Sequence, residues 1–177
     1  MKIKSYLPLV WMLGLLLLSC DPIQSYSEIP EINFKELFFE DRTDPLGETS
    51  TSAILIFSFI DGDGDIGAKP PDERLSKIHY AWYSKLSDHT FEPYKFPNDS
   101  IIISSEIPYN SVMDKSGAQN KLLKGTIEIE LVTPMNPQGI DSMRVEFYIF
   151  DRAGNQSNIE YTPVFSLVNP PVKSLTK

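Results

Sequence analysis

Residues 126–131 read Thr126-Ile127-Glu128-Ile129-Glu130-Leu131, in which apolar and acidic side chains alternate. Successive side chains of a β-strand point to opposite faces, so this segment has one apolar face and one charged face. The alternation predicts an antiparallel strand that lies between a hydrophobic core and water. No stretch beyond the N-terminal apolar segment shows a sustained helical stripe, so the sequence favours strands throughout.

Seven other segments have the apolar period or density of strands, and residues typical of turns separate them. They are residues 32–39, 53–60, 77–84, 91–96, 100–107, 143–150 and 158–167. Segment 53–60 is the most continuously apolar, which is typical of a central strand that is covered on both faces. Seven to eight strands without helices predict an all-β, antiparallel sandwich or barrel.

Two features favour an immunoglobulin-like β-sandwich over a barrel. Trp82 lies in the third predicted strand, on the same face as Tyr80, where immunoglobulin-like domains keep a buried tryptophan. The last predicted strand contains Pro163, and a proline fits an edge strand because it has no N–H group to donate. We therefore predict one immunoglobulin-like domain at residues 32–168, followed by a short tail at 169–177.

The N-terminus has the parts of an export signal, namely a start with two lysines and an apolar stretch at residues 7–18. This stretch is shorter than the roughly 20 residues that a membrane-spanning helix needs. The tetrad Leu17-Leu18-Ser19-Cys20 resembles the lipobox of bacterial lipoproteins. The resemblance implies removal of a signal peptide at residues 1–19 and attachment of a diacylglyceryl group and an acyl chain to Cys20.

Residues 20–31 then form the lipidated cysteine and a polar tether. Ten residues of extended chain reach at most ~35 Å, so we expect the domain to lie close to a membrane of the cell envelope. Asp21 follows the cysteine and would favour the inner membrane in enteric bacteria, but that rule is not general, and we expect the outer membrane instead. Cys20 is the only cysteine, so the domain has no thiol for a disulfide.

Three motifs in the predicted domain carry a family resemblance. They are Asp61-Gly62-Asp63-Gly64-Asp65-Ile66-Gly67, Lys124-Gly125-Thr126-Ile127 and Asp151-Arg152-Ala153-Gly154-Asn155-Gln156-Ser157-Asn158. In these motifs the chain resembles uncharacterised lipoproteins of the Bacteroidetes type that have one immunoglobulin-like or fibronectin-like domain. The resemblance implies the sandwich fold and an envelope location. It implies no activity.

The loop after the second predicted strand is strongly acidic, and glycines alternate with its first three aspartates. Such glycines let the backbone curl so that oxygen atoms converge on one hard cation. The loop begins like an EF-hand calcium loop but departs from it at its sixth and twelfth positions, so a helix-loop-helix site is rejected. A solvated acidic turn explains the same residues equally well. The candidate calcium ligands are Asp61, Asp63, Asp65 and Asp72.

Other acidic residues have more ordinary explanations. Asp151 and Asn155 are typical of a tight hairpin turn, and we interpret them as turn residues, not as ligands. Glu128 and Glu130 lie about 6.6 Å apart along one strand face, a separation that would suit an inverting glycosidase. The alternation in which they occur favours a solvated strand face instead.

Aromatic residues are dense between residues 80 and 96, but strand alternation sends half of them into the core. Tyr83 with Tyr94 is the candidate pair for an exposed sugar-stacking surface. His79 and His89 have neither the nucleophile elbow nor the zinc-binding helix of known hydrolases around them. The sequence therefore predicts no catalytic residue.

Charge and fold limit the classes of function. The formal net charge of −8 makes nucleic acid an unfavourable partner, because a phosphate polymer would be repelled. We expect a non-enzymatic binding or scaffolding module that is anchored to a membrane and whose partner is a protein or a glycan. The alternatives are a carbohydrate-binding accessory lipoprotein of a glycan uptake system and, with less support, a carboxylate-dependent hydrolase.

Overall fold

A computed structural model describes residues 26–43, 46–67, 76–108, 122–134 and 140–172. The regular elements of these residues are all β-strands, and they form two antiparallel sheets. This arrangement confirms the predicted all-β, immunoglobulin-like sandwich. In the residues described, no helix is long and apolar enough to cross a membrane.

Nine strands make up the two sheets. They are β1 (Glu31–Thr43), β2 (Thr49–Asp61), β3 (Lys77–Lys85), β4 (Phe91–Pro93), β5 (Ile102–Glu106), β6 (Leu123–Leu131), β7 (Ser142–Phe150), β8 (Glu160–Tyr161) and β9 (Phe165–Ser166). The first sheet has the order β1-β2-β6. The second has the order β4-β3-β7-β8, with β5 also paired to β3 and β9 also paired to β7. As predicted, the apolar segment 53–60 lies in a central strand.

The last strand differs from its prediction. Segment 158–167 was expected to be one edge strand, but it forms the two short strands β8 and β9 with Pro163 between them. Proline has no N–H group, so the ladder to β7 stops at this residue. The neighbouring Thr162 still bonds to β7, because its N–H donates to the Val145 carbonyl at 2.9 Å and its Oγ1 accepts the Val145 N–H at 2.9 Å.

The core lies between the two sheets and is rich in aromatic rings. Phe57 of the first sheet and Phe147 of the second meet with ring centroids 5.3 Å apart. Trp82 is fully buried, as predicted, and its Nε1 donates a 3.0 Å hydrogen bond to the Val132 carbonyl. The Tyr80 hydroxyl accepts the Val132 N–H at 2.9 Å. Two core side chains of β3 thus hold the chain at the end of β6 and fasten one sheet to the other.

Residues of the predicted C-terminal tail also pair with the sandwich. The Phe39 N–H donates to the Pro171 carbonyl at 2.6 Å, and Phe39 forms a parallel bridge with Val172. The domain therefore extends past residue 168, and residues 171 and 172 lie along the edge of β1.

Four strand termini meet at one end of the sandwich, called the N-terminal end below. In the first sheet Glu31, which starts β1, pairs with Ile60 near the end of β2. In the second sheet Lys77, which starts β3, pairs with Phe150, which ends β7. The residues that follow β2 contact those that follow β7, through Asp65 and Ala153, and they contact the chain that enters β1, through Gly62 and Ser27.

Candidate metal centre

Four aspartates converge at the N-terminal end of the sandwich. One carboxylate oxygen from each of Asp61, Asp63, Asp65 and Asp151 lies within 4.8 Å of the other three. Asp61 is the last residue of β2 in one sheet, and Asp151 directly follows β7 in the other. The cluster therefore joins strand ends from both sheets.

The acidic loop is held in a curled shape by its own backbone. The Asp65 N–H donates a 2.8 Å hydrogen bond to Asp61 Oδ2, and Gly64 between them has a φ of 70° that favours glycine. Ile66 is buried in the core with 1% of its surface exposed. This burial explains the departure from the EF-hand pattern at the sixth position, because the isoleucine anchors the loop to the sandwich.

The loop is fastened to the turn after β7. Asp65 Oδ2 accepts the Ala153 N–H at 2.9 Å, and the Asp65 carbonyl accepts the Arg152 N–H at 3.3 Å. The Arg152 guanidinium also donates to the Gly67 carbonyl at 3.1 Å. Three hydrogen bonds thus place the loop aspartates next to Asp151, although 86 residues separate Asp65 from Asp151 in sequence.

Asp151 forms the predicted turn and also belongs to the cluster. Its Oδ1 accepts the Asn155 N–H at 2.7 Å and its Oδ2 accepts the Asn155 side-chain amide at 2.8 Å, while Gly154 takes a φ of 91°. The interpretation of Asp151 as a turn residue only was incomplete. Only the topology could have indicated that Asp151 joins the cluster, because β2 and β7 both end at the N-terminal end of the sandwich.

Three buried oxygens of the cluster have unused acceptor capacity. No described residue donates a hydrogen bond to Asp61 Oδ1, Asp63 Oδ1 or Asp65 Oδ1, and all three atoms are buried. The Asp61 side chain is fully buried. An unpartnered buried carboxylate oxygen is costly, because the charge has lost its water and gained no donor or cation. These oxygens point to a ligand that would satisfy them together.

The electrostatics of the cluster agree with a bound cation. Burial is the largest cause that raises the pKa of Asp61 to about 7. The hydrogen bond from the Asp65 N–H lowers this pKa, and the charges of Asp63, Asp65 and Asp151 raise it. Burial and the Asp151 charge also raise the pKa of Asp65. Without a cation, the raised pKa values of Asp61 and Asp65 disfavour the ionised forms of these two carboxylates. A divalent ion would remove both the repulsion and the desolvation cost of the ionised form.

The set of four aspartate oxygens fits calcium best among the common divalent ions. Calcium binds oxygen ligands at about 2.3–2.6 Å, so two of its ligands lie at most ~4.6–5.2 Å apart. The 4.8 Å bound on the four aspartate oxygens agrees with that limit. Magnesium usually keeps several waters and takes only one or two carboxylates, so a set of four carboxylates favours calcium. The set contains no nitrogen or sulfur ligand, which disfavours zinc.

Two residues with predicted site roles lie outside the described parts of the chain. They are Asp72, predicted as a fourth loop ligand for calcium, and Cys20, predicted as the lipidation site. Both assignments stay predictions. The structure brings the other three predicted ligands together and adds Asp151 to them.

The glutamates of β6 lie apart from this centre and have other partners. Glu128 is exposed, whereas Glu130 pairs with the Arg42 guanidinium at 3.0 Å and accepts a hydrogen bond from Ser52. His79 stacks on Tyr148, and burial followed by the Lys77 charge lowers its pKa. Glu130 therefore takes part in surface charge pairing and His79 in packing.

The structure does not bring Tyr83 and Tyr94 together as a sugar-stacking pair. Tyr94 donates its N–H to the Trp82 carbonyl and packs on the core side, with its ring 5.1 Å from that of Phe96. Tyr83 lies on the outer face, where the Arg144 guanidinium covers its ring at 5.6 Å. The two tyrosines therefore present no common surface.

Comparison of the chain with protein-family models, with curated proteins and with solved structures gives no match. The geometry of the four-aspartate centre is therefore the basis for a functional assignment.

Proposed function

We propose that the protein is a calcium-binding, immunoglobulin-like module that is displayed from a lipid anchor in the cell envelope. The observation that carries the proposal is the convergence of four aspartates, three of which hold a buried oxygen that accepts no hydrogen bond from any described residue. Calcium would be bound by oxygens from both sheets. It would stabilise the sandwich at the end where its sheets are joined by loops.

The backbone supports this role by orienting the ligands in advance. The N–H groups of Asp65 and Ala153 bond to Oδ2 of Asp61 and of Asp65, respectively, and leave the buried Oδ1 atom of each carboxylate without a donor. A carboxylate held through one oxygen can present the other to an ion with little loss of conformational entropy on binding. Asp63 and Asp65 are partly exposed to solvent, and we expect the weak affinity of extracellular calcium modules, with a Kd of about 10⁻⁴ to 10⁻³ M.

The calcium ion would stabilise the fold of the module, and the module would function by binding a partner. An immunoglobulin-like sandwich usually presents loops and edges to a partner. The lipobox resemblance at Cys20, and the motifs shared with Bacteroidetes-type lipoproteins, support display on an envelope membrane. The four-aspartate cluster is assigned to metal binding and not to catalysis, so the role that we propose is non-enzymatic binding or scaffolding. The partner would be a protein or a glycan.

Equilibrium titration with calcium tests the metal assignment. We expect one calcium ion per chain, with binding abolished by the double substitution Asp63→Asn and Asp65→Asn. The matched control is Asp99→Asn, which removes an exposed carboxylate in the turn between β4 and β5 and should leave binding unchanged. Equal binding by the wild type and the double variant would place the ion elsewhere and reject this centre.

A further inference from the structure

The chain that enters the sandwich passes directly over the acidic loop. The Ser27 carbonyl accepts a 2.8 Å hydrogen bond from the N–H of Gly62, which lies between the first two cluster aspartates. The Ser27 hydroxyl accepts the Ile29 N–H at 2.9 Å and so shapes the segment itself. Residues 26–30, called the entry segment below, are therefore seated at the metal centre.

The contact at Gly62 is too close for any other residue. A Cβ atom at this position would lie 2.4 Å from the Ser27 carbonyl oxygen and 2.7 Å from that of Tyr26. Neither atom belongs to a flexible side chain, so the backbone of the entry segment would have to move. The glycine thus lets the entry segment pack on the loop that carries the aspartates.

The opposite half of the cluster contacts the same segment. The Asn155 side-chain amide donates to Asp151 Oδ2 at 2.8 Å and makes a longer bond of 3.5 Å to the Glu28 carbonyl. The entry segment therefore touches the β2 loop through Gly62 and the β7 turn through Asn155. Any change in how the two halves of the cluster approach each other is transmitted to this segment.

We infer that calcium fixes the entry segment, which leads to the predicted anchor, on the sandwich. The inference rests on the proposed calcium site and names its regulatory consequence. Without the ion, repulsion among the ionised aspartates opposes the hydrogen bonds that join the loop to the turn, and the entry segment is held less firmly. With the ion, both surfaces that hold the segment are drawn together. The N-terminal end of the sandwich then acts as a calcium-dependent joint.

Thermodynamic linkage makes the joint reciprocal. If calcium strengthens docking of the entry segment by a given factor, docking of the segment strengthens calcium binding by the same factor. A change that undocks the segment without touching an aspartate must therefore weaken calcium binding. Gly62→Ala is such a change, because it removes none of the four carboxylates and its Cβ would clash with the Ser27 carbonyl.

Hydrogen–deuterium exchange of the full chain in detergent, with calcium chloride or with chelator, tests the inference. We expect calcium at ten times its Kd to slow exchange in peptides covering residues 26–31 and 60–64 by about tenfold. In Gly62→Ala the effect on residues 26–31 should be lost, and calcium should bind several-fold more weakly. Tyr26→Phe, at an exposed position of the entry segment, keeps the backbone carbonyls and the Ser27 hydroxyl and serves as the matched control, with exchange like that of the wild type.

The possible results separate the joint from the metal site. If titration shows that the wild type binds calcium but exchange at residues 26–31 is the same with and without the ion, the joint is rejected and the site stands. If the wild type binds no calcium, both are rejected. The comparison of the wild type with and without calcium can reject the joint by itself, even if Gly62→Ala does not fold.

Discussion

Asp65 Oδ2 accepts a 2.9 Å hydrogen bond from the backbone N–H of Ala153, across 88 positions of sequence. This bond ties the loop after β2 to the turn after β7, and it brings carboxylates from the two sheets to one point. The centre is therefore a property of the folded sandwich. A short peptide containing the acidic loop alone would lack Asp151 and the donors that orient Asp65.

The contribution of Asp151 distinguishes this centre from a site made by the loop alone. Asp151→Asn keeps an oxygen that can accept the Asn155 N–H but removes one of the four charges. We expect calcium affinity to fall about as much as in Asp63→Asn, measured by equilibrium titration. Asp72→Asn, titrated in parallel, tests the ligand that the sequence predicts. Unchanged affinity in Asp151→Asn would mean that the ion is bound by the loop only.

Removal of the Trp82 side chain should be the most damaging single change in the core. The ring is fully buried and its Nε1 bonds to the Val132 carbonyl, so Trp82→Ala leaves both a cavity and an unpaired acceptor. We expect a loss of about 3–5 kcal/mol in the free energy of unfolding, measured by denaturant titration. Tyr83→Ala, at a half-buried outer position of the same strand, should cost clearly less. Similar losses at both positions would contradict the core assignment.

The pH dependence of stability in chelator follows from the raised pKa of Asp61, about 7 against an ordinary value of 3.8. Between these values the folded state binds more protons than the unfolded state, so stability falls as pH rises through this range. We expect a higher denaturation midpoint at pH 5 than at pH 8 in chelator, and a smaller difference in Asp61→Asn. Calcium should reduce the loss of stability at pH 8, because it favours the ionised form of Asp61. A wild-type midpoint in chelator that rises steadily from pH 5 to pH 8 would be inconsistent with this.

Lipidation is predicted from the tetrad that ends at Cys20. Mass spectrometry of the membrane fraction should find an N-terminal peptide that begins at Cys20 and carries the mass of a diacylglyceryl group and an acyl chain. Cys20→Ala should accumulate as an uncleaved precursor, because the modified sulfur is required before the signal peptide is removed. An unmodified mature chain that begins at another residue would reject the lipoprotein assignment.

Strand alternation was sufficient to predict the sandwich because it depends on local sequence alone. Segment 126–131 alternates in burial as it does in polarity, and Trp82 lies in the core where its strand position placed it. The break at Pro163 also has a local cause, but whether a proline ends a strand or merely lies on its edge depends on the neighbouring strand. That information is not contained in the segment itself.

The metal centre was predictable only in part, for a topological reason. Asp61, Asp63 and Asp65 are close in sequence, so their spacing already indicated a shared ligand. Asp151 joins them because β2 and β7 end at the same pole of two different sheets, and no local pattern encodes that. The same limit applies to the entry segment, whose contact with Gly62 depends on the direction in which β1 begins.

Thermal unfolding with and without calcium tests the central claim most directly. At calcium tenfold above Kd, selective binding to the folded state contributes about 1.4 kcal/mol, which for a domain of this size raises Tm by about 3–6 °C. We predict this difference between millimolar calcium and chelator for the wild type, and none for the double variant Asp63→Asn and Asp65→Asn. The same Tm for the wild type in calcium and in chelator would contradict the assignment of the four aspartates as a calcium site.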